Sequence, residues 1–425
     1  MSDHPQNRSP DDTTRAGMGS WRVFVLVAAG AVVGLAGTDL VLPAIPLLVD
    51  ELAGTTTQAQ WVLASYVTGT AMGLVLFGEL GARYPLGRLL WSSLSGFAVV
   101  SLLAVLAESI LQLTLLRFFQ GLLAAAPAVF GPVILKGLFP PQQSLVYLGR
   151  LGSLESMAPA LAPVIGAWLL LYFNWHASFY LLALAAVIVA VCWRVQPQIL
   201  AGLAATQAGG SFLELMKNRR YLGYALSQAA TLGALLTFVF AAPTLLTVVM
   251  GGDISDFIIM QVLGIIFFVL CANTAHLLVR RWGEDRTIWV GSLLAASGTW
   301  LLLAYAFLGG ADKLAIWLLF VLVNAGLGVR GPPGFYKAIE AAAGDDARGS
   351  AGVVLTSLLT AAIGTVVVAP FIGAGLWPVS LVTAILASAS PLLLWFWGPF
   401  SGGKAGGKSG VESGGKSREG GELIT

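Results

Sequence analysis

Charge is scarce in this sequence. Asp, Glu, Lys and Arg make up only 10% of its 425 residues, against 57% hydrophobic. A soluble domain carries about 25% charged residues, so the composition excludes one. Cysteine and histidine are scarcer still. Cys192 and Cys271 have neither CxxC nor metal-ligand spacing, and His4, His176 and His276 are scattered, which excludes a disulfide framework and leaves no metal or cofactor site to expect. The net charge of +2 is too small to point to nucleic acid. No HExxH, GxSxG or phosphate-cradling loop is present, so neither an enzyme's reacting centre nor an ATP-driven pump is expected.

What the sequence has in quantity is apolar length. Spans of the size needed to cross a bilayer, ~20 residues, fall at 21–48, 59–80, 89–107, 110–135, 147–172, 175–195, 221–249, 255–279, 287–309, 313–336, 350–374 and 376–398. The first is too long for the 7–15-residue core of a signal peptide, so no cleaved leader is expected. Lysine and arginine crowd alternate connections and both ends. Of 23 such residues only Lys313 falls in the other set of connections. By the positive-inside rule both termini are cytoplasmic. The polar ends, 1–19 and 399–425, read as disordered tails.

The chain also repeats itself. "RYPLGRLLW" from Arg83 and "RWGEDRTIW" from Arg281 share their Arg, aromatic, Arg and Trp spacing at an offset of 198 residues, and Arg150 and Arg348 lie at the same offset. Gly131-Pro132 and Gly331-Pro332 are 200 apart. Duplication predicts an all-α multi-pass membrane protein of two pseudo-symmetric six-helix halves, at 20–195 and 221–398, joined by a cytoplasmic linker at 196–220.

Four charges lie well inside the spans, away from their ends. A charge at mid-bilayer costs at least ~2.5–3.5 kcal/mol, so each is a candidate for function. Counting helix rise, Arg117 and Asp39 sit roughly 10 and 13 Å from one surface, and Glu155 and Arg330 roughly 13 and 10 Å from the other. The matched depths predict two pairs. Asp39 with Arg117 is the candidate proton-coupling pair, or else a structural pair that fixes helix packing. A carboxylate held by a guanidinium gives up its proton more readily than one alone in apolar surroundings. Glu155 and Arg330, on opposite halves, are candidates to meet across a cytoplasmic gate; "RGPPGF" from Arg330 breaks its helix there. Gln120, Tyr66, Phe238 and Asn324 are candidates to line a substrate cavity. Gln228, Asn273 and Asn324 are isolated amides, for which interhelical hydrogen bonding is the plainer expectation.

Several short motifs carry a resemblance across about residues 20–398. "LRFFQGLLAA" (Arg117, Gln120, Gly121), "APALAPVIGAW" (Pro163, Gly166), "TDLVLPAIP" and "GELGARYPLGR" (Gly78, Arg83, Gly87, Arg88) are similar to motifs of the major facilitator superfamily, in its twelve-helix drug:proton antiporter branch of bicyclomycin- and chloramphenicol-resistance type. In the last motif the family's acidic residue falls on Ala82. The resemblance implies a proton-coupled transporter that exports small lipophilic compounds by alternating access. Such a protein would use protons and a small-molecule substrate, no cofactor and no nucleic acid, as a monomer in a bacterial inner membrane. A metabolite exporter, an uptake symporter or a non-transporting receptor would share the fold.

Overall fold

The computed structural model describes residues 10–45, 47–195, 210–252, 254–310 and 312–397. Residues 1–9, the C-terminal tail and most of the linker lie outside these residues, while 10–19, expected as part of a disordered tail, extend the first helix. Among the described residues twelve helices are long and apolar enough to cross a membrane. In chain order they are α1 (Pro10–Asp39), α2 (Thr56–Gly81), α3 (Leu86–Val105), α4 (Ile110–Leu138), α5 (Pro141–Tyr172), α6 (His176–Val195), α7 (Arg219–Thr244), α8 (Ile254–Trp282), α9 (Glu284–Phe307), α10 (Lys313–Ala341), α11 (Asp346–Val368) and α12 (Leu376–Trp397). This is a multi-pass membrane protein. Its backbone bonds are satisfied within helices, the condition for crossing hydrocarbon. Large apolar side chains such as Leu111, Leu171, Leu184 and Val366 remain exposed for lipid to cover.

Each helix matches one expected span, with ends set by local chemistry. Thr55 caps α2 reciprocally with Gln58, Ser109 caps α4 through the Gln112 N–H and Asn218 caps α7 through the Tyr221 N–H, each satisfying a donor the first turn leaves open. α1 begins at Pro10, ahead of the apolar stretch at Trp21.

The packing has the expected internal symmetry. Within the first half α2 packs on α4, α3 on α6 and α4, and α1 on α4, α5 and α6. Within the second α8 packs on α10, α9 on α12 and α10, and α7 on α10, α11 and α12. Adding six to each helix number converts one set into the other. The halves meet through α2 with α11 and α5 with α8, again each other's counterparts. Since the number of crossings is even, α1 begins and α12 finishes at one end of the bundle, the termini end; the opposite is the far end.

Candidate functional site

α1 stops at Asp39 because the chain that follows cannot continue it. Pro43 has no N–H to give the Asp39 carbonyl, and Leu42–Ala44 tightens into a 3-10 turn. The last α-type bond beyond the helix runs from Leu40 N to Ala36 O at 2.9 Å. Carbonyls before the break are thereby left without helical donors, and side chains of neighbouring helices take them. Ser178 of α6 donates to Leu40 O at 3.3 Å. Arg117 of α4 donates from Nη1 to Gly37 O at 2.7 Å.

Arg117 is wholly buried. The same Nη1 donates to Gln120 Oε1 at 2.7 Å, and Gln120 Nε2 passes the contact to Ser101 Oγ at 2.6 Å. One face of the guanidinium lies over the Tyr66 ring, 4.2 Å from its centroid, a cation–π contact. The Tyr66 hydroxyl donates to Gly34 O at 2.5 Å. α1, α2, α3 and α4 are thus tied together around one buried cation. Gly121 permits this closeness: a Cβ there would stand 2.0 Å from Tyr66 O, so the α2 and α4 backbones touch only because the side chain is absent.

Asp39 is half-buried and has neither hydrogen bond nor ion pair among the described residues. The expected Asp39–Arg117 salt bridge is therefore not made in this state, although each charge is an electrostatic neighbour of the other. The physical reason is the helix break, which offers the guanidinium a neutral carbonyl two residues before the acid. Arg117 Nη2 keeps no partner among the described residues.

The four cavity candidates belong to the packed walls. Gln120 and Tyr66 are committed to Arg117. Phe238 is buried and stacks on Phe320 with ring centroids 5.2 Å apart. Asn324 is buried and donates to Phe320 O of its own helix at 3.0 Å. Among the isolated amides, Asn273 of α8 does cross between helices, donating to Ser153 Oγ of α5 at 2.8 Å. In the other motifs Gly166 lies against Leu40 O and Gly78 against the Phe212 ring and Ala351. Pro163 falls inside α5, Gly87 is half-buried, and Arg83 and Arg88 are exposed.

The second expected pair is not formed either. Arg330 is buried within its own half, where Nη1 donates to Ser227 O at 2.5 Å, Thr231 Oγ1 at 2.8 Å and Ser390 Oγ at 3.3 Å. Glu155 is half-buried and makes no hydrogen bond or ion pair among the described residues. The physical reason is that Arg330 turns into its own half, where neutral oxygens of α7 and α12 take Nη1.

Contacts that join the halves gather at the termini end, on residues that depth counting passed over. Arg348 of α11 grips Glu79 of α2 with two bonds, Nε to Oε2 at 2.7 Å and Nη2 to Oε1 at 2.9 Å. Its Nη1 holds Asp345 at 2.6 Å. Lys136 of α4 pairs with Asp346 of α11 at 2.8 Å. Glu79 also receives Arg83. A signal was present: Glu79 is the acid of the loop motif that lacks one at position 82, and Arg348 belongs to the repeat.

A sequence profile described as Major Facilitator Superfamily matches residues 27–364. The chain is similar to a bicyclomycin resistance protein homolog of Haemophilus influenzae, 25% identical over 67% of this chain and 73% of the relative. It is also similar to a chloramphenicol resistance protein of Pseudomonas aeruginosa, 26% identical over 87% and 90% of the two chains. Among solved structures, that of the proton:xylose symporter XylE superposes with a TM-score of 0.71 at 13% identity, covering 89% of this chain and 96% of the other. That likeness concerns the fold.

Proposed function

Because the chain belongs to the Major Facilitator Superfamily, a family of transporters and not of enzymes, we propose that it is a proton-coupled exporter of small lipophilic compounds. It works as a monomer in a bacterial inner membrane with both termini cytoplasmic. The single observation that carries the coupling is Asp39: a half-buried carboxylate at a helix break, beside a buried guanidinium, with neither Asp39 nor Arg117 Nη2 partnered among the described residues. The names of the two resistance-protein relatives support export of drug-like compounds.

The cycle follows from that arrangement. With the halves latched at the termini end, Asp39 stands apart from Arg117 and takes a proton from the far, external side. Unlatching Glu79 from Arg348 and Lys136 from Asp346 lets α1 and α4 shift, so that Asp39 reaches the open Nη2 of Arg117. A carboxylate in that grip gives up its proton, now to the cytoplasm. A lipophilic substrate entering from the cytoplasm binds the deprotonated form, and reclosure carries it outward. The energy of coupling lies in the difference between the two Asp39 environments, since only an interaction that differs between states can move the equilibrium.

The test is a susceptibility panel across drug classes in cells with and without the protein, paired with proton flux in everted vesicles. Raised resistance together with drug-evoked proton efflux from acid-loaded vesicles is the expected result. A drug panel that is flat while flux responds to sugars, amino acids or organic acids would move the assignment to a metabolite transporter of the same fold.

A further inference from the structure

Arg330 presents a different problem from Arg117, because among the described residues it has no acid as a partner. The guanidinium is wholly buried and makes no ion pair among the described residues. The nearest acids along α9, Glu284 and Asp285, are engaged by Lys337 at 3.2 Å and by the Tyr224 hydroxyl at 2.6 Å. A buried cation without a counter-charge is strongly disfavoured in a low-dielectric interior, and proteins ordinarily pair it.

Its hydrogen bonding is also incomplete. Nη1 is satisfied three times over, but Nε and Nη2 have no partner among the described residues, and neither has Gln228 Oε1 of α7. Two of these unpaired atoms, Nη2 and Gln228 Oε1, lie close to one spot. A Cβ placed on Gly334 would lie 3.0 Å from Gln228 Oε1 and 3.1 Å from Arg330 Nη2, so both atoms border the spot that a side chain at this glycine would fill. Around them stands a cluster of hydroxyls from three helices: Ser227 to Ser390 at 2.8 Å, and Ser390 to Ser292 at 3.0 Å. The carboxamide of Gln228 can turn to present its NH2 in place of its oxygen.

We propose that the second half holds a small monovalent anion of halide size against Nε and Nη2 of Arg330, with the Gln228 amide as its further donor. The ion is a resident counter-charge, neutralising the guanidinium that ties α7, α10 and α12 together. It is separate from the proton site in the first half and does not rest on the substrate proposed above.

The experiment uses the full-length protein in detergent. Thermal unfolding is followed in chloride, in bromide and in gluconate, at equal ionic strength, for the native chain, Arg330→Gln and Gln228→Glu. The glutamate would supply the missing charge from within, so that variant keeps the proposal testable if Arg330→Gln fails to fold. Expected are a midpoint several degrees higher in halide than in gluconate for the native chain, no such difference in Gln228→Glu, and bromide anomalous density beside Arg330 in crystals. Equal midpoints in the three salts, a halide response unchanged in Gln228→Glu, or a bromide-free site filled only by water would overturn it.

Discussion

Each half of the molecule buries an arginine well inside a helix, Arg117 in the first and Arg330 in the second, and the two are held in opposite ways. Arg117 lies seven residues into α4, near the far end, over a tyrosine ring and next to an acid it does not bond. Arg330 lies seventeen residues into α10, toward the termini end, among serine and threonine hydroxyls with no acid in range. The fold repeats, yet its charges do not. Position 237, which lies 198 residues after Asp39, is a buried threonine that donates to Gly233 O of its own helix at 2.8 Å. The scaffold repeats, but of these two mid-helix arginines only Arg117 has an acid, Asp39, as an electrostatic neighbour. In the proposed mechanism proton movement therefore belongs to the first half and a static role to the second.

The comparison is most severely tested by moving the acid. Asp39→Asn should abolish proton-coupled efflux in vesicles while leaving membrane insertion intact, and adding Thr237→Asp should restore nothing. Recovery of coupled transport by that transfer would make the halves equivalent. Arg117→Lys should cost less. An ammonium could donate to Gly37 and Gln120 from one nitrogen, as Nη1 does, but it has no second nitrogen like Nη2 to receive Asp39, and losing a charge-assisted bond worth about 1.5–3 kcal/mol implies roughly 10- to 100-fold slower transport. Initial rates of drug efflux check this.

The latch between the halves is the next effect in size. Glu79→Gln keeps the shape but loses the charge on a carboxylate about one-third exposed. A partly exposed pair is worth up to about 1 kcal/mol, so the population open at the termini end should rise roughly fivefold. Labelling of a cysteine placed at Ser153, beneath the latch, reports it. Glu155→Gln should change that labelling least of all, because Glu155 makes no contact with Arg330 in the latched state. A large increase would return Glu155 to the gate.

Much of this was legible in the sequence. Span lengths gave twelve helices, and the repeat offset gave two halves whose contacts interconvert. The buried positions of Arg117 and Arg330 followed from helix rise alone. Pairing did not, because depth along the membrane is one coordinate and contact needs three. Arg117 found the Gly37 carbonyl, which becomes available only once Pro43 breaks the helix. Tyr66 and Phe238, read as cavity linings, are packed inward because aromatic residues serve equally as wall and as surface, and composition does not distinguish the faces. Glu79 was passed over since it stands at a span's edge, where a charge needs no explanation until a partner from the other half is seen.

The most direct measurement is proton release on substrate addition, followed with a pH indicator in weakly buffered detergent solution. The native protein should release protons when a transported drug binds, and Asp39→Asn should release none while still binding the drug. Equal release from both would place the exchanging proton elsewhere and contradict the account.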